Sequence, residues 1–179
     1  MINHNSILYS ILDRKFSQTF GTADWVVNYT EGDLFEIVRK LNDSKVKYPI
    51  IWLQTGYKVE RNEQHQKTRI LNPRIFIITK GNQHDRYEAR FESNYQEMLY
   101  PILNKMLNVF SKKSGVNYSK TYTFTTFPFN DTTEMMRRES KYGSKTDPQT
   151  ATLTDIWDAL LLELPFIELA DDCFSEFNI

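Results

Sequence analysis

Apolar residues recur along this chain at two spacings, and each spacing implies a different element. In "SILYSILDRKF", Ile7, Leu8, Ile11, Leu12 and Phe16 fall on one helical stripe, with Ser6 placed to cap it. "EGDLFEIVRKLNDS" has the same period. Asp33 can cap, and Leu34, Ile37, Val38 and Leu41 form the apolar face. The pattern then changes. In "YPIIWLQTGYKV" the run Ile50, Ile51, Trp52, Leu53 is β-prone and too short for a helix, and Pro49 suits a strand beginning. In "RILNPRIFIITK" both alternating sets, Ile75 with Ile77 and Phe76 with Ile78, are apolar, which predicts a strand buried on both faces. Pro73 implies a bend or bulge near its beginning. The two strands predict a hairpin whose tip is "ERNEQHQKT".

The longest helical pattern is "DRYEARFESNYQEMLYPILNKMLNVFSKKSG". Its stripe runs from Phe91 through Tyr95, Leu99, Ile102 and Met106 to Phe110. Lys112, Lys113 and Gly115 suit its end. Pro101 lies inside the pattern, so a kink, or two helices meeting near Tyr100, is expected. "YSKTYTFTTFPF" alternates as a strand. The polar stretch that follows reads as a loop, with room for a short helix at "TTEMMRRES". In "DIWDALLLELPFIEL", Pro165 and the β-prone residues after it favour a strand with a bend over a helix.

The predicted order is helix, helix, strand, strand, long helix, strand, loop, strand. This is an α+β arrangement: a mostly antiparallel sheet of about four strands, N-terminal helices, a long helix packed on one face, and a protruding β-hairpin. All of it fits a single domain over residues 1–179, with a polar loop insertion at about 130–152 and a C-terminal extension at about 170–179.

Composition narrows the chemistry. Hydrophobic residues make up 40% of the chain, enough for a core. No apolar run approaches a membrane span, and "MINHNSILYS" lacks the pattern of a secretion leader. The one cysteine, Cys173, rules out an internal disulfide and fits a reducing compartment. It has no nearby His or Lys to activate it. His4, His65 and His84 lack metal-ligand spacing, so no metal site is expected from them. The paired carboxylates Asp155 with Asp158, and Asp171 with Asp172, could in principle gather magnesium, but read better as solvated acids or subunit contacts. No glycine-rich phosphate loop or nucleophile motif occurs, so neither a catalytic residue nor a cofactor is expected and the chain does not read as an enzyme.

A net charge of −1 hides an asymmetry. Lys58–Arg90 holds eight Lys/Arg against four Asp/Glu, and Lys105–Lys145 holds eight against three. Thr146–Ile179 holds eight acids and no Lys or Arg. Opposite signs in separate segments suit head-to-tail self-association, acid against base. The candidate contacts are Tyr57, Arg61, Lys67 and Arg69 on the hairpin, Arg137 and Arg138 in the second basic patch, and the acids Asp155, Asp158, Asp171 and Asp172. Arg61, Lys67, Arg69 and Arg74 with Tyr57 and His65 could alternatively grip nucleic acid, although Glu60 and Glu63 dilute that charge.

Four segments together resemble a known family. "VKYPIIWLQTGYKVERN", "RIFIIT", "MLYPILNKMLNVF" with Tyr87, Arg90 and Phe91 before it, and "LTDIWDALLLEL" are similar to small proteins from the structural-gene clusters of tailed phages. Over roughly residues 1–169 the chain resembles tail-terminator or tail-completion proteins, or the neck and tail ring proteins of crAss-like phages. The resemblance implies a structural virion protein and no catalytic residues. It implies a homo-oligomeric ring, six- or twelve-fold, at the head–tail junction or tail, joined to other neck, portal or tail proteins. DNA would pass through the lumen and could touch it. The implied location is the virion, with host cytoplasm during assembly and no membrane. The rival expectation is a nucleic-acid-binding accessory protein working through its basic arms.

Overall fold

A computed structural model describes residues 16–20, 23–41, 43, 45–82, 84–128 and 156–170. In chain order the elements are β1 (Phe16–Phe20), β2 (Ala23–Gly32), α1 (Leu34–Leu41), β3 (Ile50–Gln54), β4 (Lys58–Asn62), β5 (Lys67–Leu71) and β6 (Arg74–Gly81). A continuous helical stretch follows: α2 (Tyr87–Arg90), a π segment (Phe91–Leu99) and α3 (Tyr100–Lys112). Strands β7 (Val116–Tyr118), β8 (Thr123–Pro128), β9 (Ile156–Glu163) and β10 (Phe166–Ala170) complete the set.

The architecture is α+β and mostly antiparallel, but the strands form two sheets rather than one sheet of about four. The first runs β2-β3-β6-β9-β8, with β1 added outside β2 to make six strands. The second runs β4-β5-β10-β7. The expected opening helix is also corrected in part. Phe16 begins a strand, while residues 1–15 lie outside the described residues. The alternation of Trp25, Val27 and Tyr29 with Val26, Asn28 and Thr30 is the sequence signal for β2. Strand β2 pairs in parallel with β3, and α1 makes the crossover a parallel pair requires. Asp33 caps α1, its carboxylate accepting the Glu36 N–H at 2.9 Å.

Strands β3, β6 and β9 are adjacent and buried on both faces. One face presents Ile51, Leu53, Ile75, Ile77, Leu160 and Leu162 to the larger core cluster. The other presents Ile50, Trp52, Phe76, Ile78, Trp157 and Leu161 to α1 through Ile37 and Leu41. The larger cluster also takes Tyr95, Leu99, Leu103, Met106 and Phe110 from the helical stretch, and Ile70, Ile167 and Leu169 from the second sheet. The larger core therefore joins both sheets to the π segment and α3, while α1 covers the other face of the first sheet.

The chain passes between the sheets at residues 55–57, 72–73, 119–122 and 164–165. Proline suits two of these corners because it cannot continue a ladder. The corners bond to each other: Asn72 N–H donates to Pro165 O at 3.0 Å, and Leu164 N–H to Pro73 O at 3.3 Å. The bend expected at Pro165 is thus the point where one apolar run changes sheets. The expected break near Tyr100 is a change of winding. Tyr100 N–H still bonds back to Tyr95 O in the π register, and Pro101 lies in the first turn of α3, where a missing N–H costs little.

Candidate functional site

The hairpin β4–β5 and its neighbour β10 carry most of the candidate residues that the structure describes. Four residues, 63–66, connect β4 to β5 after the pair Asn62–Lys67. The Asn62 side-chain oxygen accepts the His65 N–H at 3.2 Å, and Gln66 adopts a left-handed conformation with φ 49°. Both are ordinary devices of a tight four-residue turn.

Cross-strand register lines up Glu60, Arg69, Glu168 and Asn117 on one face of the second sheet. Glu168 accepts from Lys67 Nζ at 3.0 Å and from Arg69 at 2.9 Å. Those hydrogen bonds, Lys67 first, hold its carboxyl below the usual range against the opposing effect of its partial burial. Arg69 also stacks over the Phe166 ring at 4.8 Å. The hairpin basics Lys67 and Arg69 therefore meet an acid of the C-terminal third within one chain. Arg61 is exposed on β4 beside them. A concavity of about 880 Å³ here is bordered by Arg61, Lys67 and Arg69 together with Glu60, Glu63 and Glu168. Among the described lining residues three cations face three carboxylates, a balance that gives a phosphate backbone little to hold. Arg74 is engaged as well, with Gln54 at 3.0 Å and Glu163 at 3.4 Å.

Tyr57 lies at the β3–β4 corner, half-buried against the core. Burial raises its pKa, helped by the nearby Glu31 charge. Glu31 accepts the Tyr29 hydroxyl at 2.5 Å through Oε1, while its Oε2 is buried with no hydrogen-bond partner among the described residues. Burial pushes the Glu31 carboxyl up, and the Tyr29 hydrogen bond offsets part of that.

Asp158 is a correction. Sequence patterning places it at a subunit contact, but it is 0% exposed and paired with Arg90, itself only 5% exposed. Asn94 donates to it at 2.7 Å and the Tyr95 hydroxyl at 3.3 Å. A carboxylate so enclosed has nothing to offer a partner. Burial, and secondarily the Asp158 charge, raises the Tyr95 pKa. The sequence signal for this cluster is Asp158 among the apolar residues of "IWDALLL", which needs a buried cation if both strand faces are covered. Arg137, Arg138, Asp155, Asp171 and Asp172 lie outside the described residues.

Among the described residues no group of His, Cys, Asp and Glu could hold a metal ion. No helix among them is long and apolar enough to cross a membrane. No family model matches the chain, and no curated protein matches it either.

Proposed function

We propose that this protein is a structural virion subunit that assembles head to tail into a ring at the head–tail junction of a tailed phage, joining portal or neck and tail components around the DNA channel. The observation that carries the reading is β4. Among the described strands it is an edge strand of the second sheet, and all five of its residues are exposed. Edge strands offer unpaired backbone groups and are normally shielded unless another chain uses them. On this reading the hairpin is the protruding arm that reaches a neighbouring subunit.

The placement of the family-like segments supports the same reading. "YPIIWL", "RIFIIT" and "IWDALLLE" lie largely on the three neighbouring strands β3, β6 and β9, and "LYPIL" spans the start of α3. The resemblance therefore falls on one contiguous core and not on scattered surface. Its function is assembly, with no catalytic step.

Native mass spectrometry and sedimentation over a range of salt test the proposal. A closed ring, alone or with a neck or tail partner, is expected, and electron microscopy of the virion should place it at the neck or tail. A chain that stays monomeric at high concentration and with every virion partner overturns it.

A further inference from the structure

Resting on that ring reading, we infer that the ring closes through one backbone ladder: β4 of one copy pairs with β7 of the next, so that the second sheet runs on from subunit to subunit. Among the described strands, β4 pairs only with β5 and β7 only with β10, which leaves these two as the sheet's open edges. Every pair within the sheet is antiparallel. Four alternating strands put β4 and β7 in opposite directions. A neighbour related by rotation, without inversion, therefore presents its β4 antiparallel to β7. The contact uses two different surfaces, which is the kind that closes into a ring.

Side chains agree with this pairing. Val59 and Tyr118 both belong to the inner face of the sheet, in register with the buried Ile70 and Ile167. Val59 is 42% exposed, with no further strand beside β4 among the described residues. Setting Val59 of one copy opposite Tyr118 of the next keeps apolar against apolar and brings Glu60 opposite Asn117 on the outer face. A slip by one residue would put Val59 on the outer, polar side. Charge fits as well. Glu60 and Glu63 form no ion pair among the described residues, whereas β7 is flanked by Lys112, Lys113 and Lys120. No Asp or Glu occurs in the sequence between Glu97 and Asp131. In this register Glu63 comes down beside Ser114 and Lys113. The occupant of the β4 edge is thus a second copy of this chain, offering a short strand in basic surroundings.

Directly opposed residues of an antiparallel pair lie within disulfide reach. The test uses the full chain with Cys173→Ser, adding Glu60→Cys and Asn117→Cys together, and separately Lys58→Cys with Asn117→Cys to cover a two-residue slip. After oxidation, one double variant should give a ladder of cross-linked multimers ending at the ring size, while each single variant gives no ladder. Glu60→Lys with Glu63→Lys should keep the fold and weaken assembly by roughly tenfold or more, about 1.4 kcal/mol. Rings seen by native mass spectrometry that cross-link in neither variant overturn the ladder and leave the ring reading standing. Dimers joined through residue 60 on both copies also overturn it. Monomers under every condition remove both.

Discussion

The Arg90 guanidinium grips the Asp158 carboxylate at both oxygens, inside the protein, between the end of α2 and the first half of β9. Nε donates to Oδ2 at 3.1 Å and a second nitrogen to Oδ1. Removing one member strands the other's charge in the interior. Asp158→Asn should cost about 3–5 kcal/mol in urea unfolding. Arg90→Met with Asp158→Leu should cost less than the single change, since apolar groups of similar volume can replace a buried pair. Equal losses from the single and double variants would contradict this account.

Trp157 reaches across the smaller core cluster. Its indole N–H donates to the Tyr48 hydroxyl at 2.8 Å. Tyr48→Phe leaves that buried donor unmet, so a loss of about 1–3 kcal/mol is expected. Thermal melts give the size, and a shifted tryptophan emission would report the altered surroundings of the ring.

Glu31 gives a pH dependence with a definite sign. Its folded pKa lies above the ordinary value of 4.5, because burial disfavours the charge. Its contribution is therefore complete below the unfolded pKa and is lost as pH rises through the folded one. Glu31→Gln lacks this titration. The stability of the wild type relative to Glu31→Gln should fall from acid to neutral pH, and a flat difference across that range would refute the assignment.

Glu168 has the opposite sign. Lys67 and Arg69 lower its pKa, so its contribution is present above the unfolded value and is lost as pH falls through the folded one. The two cations are each nearly half exposed, which limits each pair to about 1 kcal/mol or less and makes it salt-sensitive. Glu168→Gln should lower the melting temperature at neutral pH and low salt, with an effect that shrinks as pH falls through the folded pKa or as salt rises.

Local patterning was legible along the chain. Apolar residues on both alternating sets of "RIFIIT" require a strand covered on two sides, and Asp33 ahead of an amphipathic run marks a helix start. The α+β class and the antiparallel bias follow from such signals, because hydrophobic periodicity is a local property. Which strands share a sheet depends on packing between distant segments. Pro73 and Pro165 signal bends, yet that both bends are sheet-to-sheet corners depends on the bonds between them. The partners of Asp158 and Glu168 were likewise hidden. Arg90 is 68 residues from Asp158, and Lys67 is 101 residues from Glu168. Charge counted along a chain cannot tell an acid that waits for a neighbour from one already held by its own chain, since electrostatic pairing depends on distance in space.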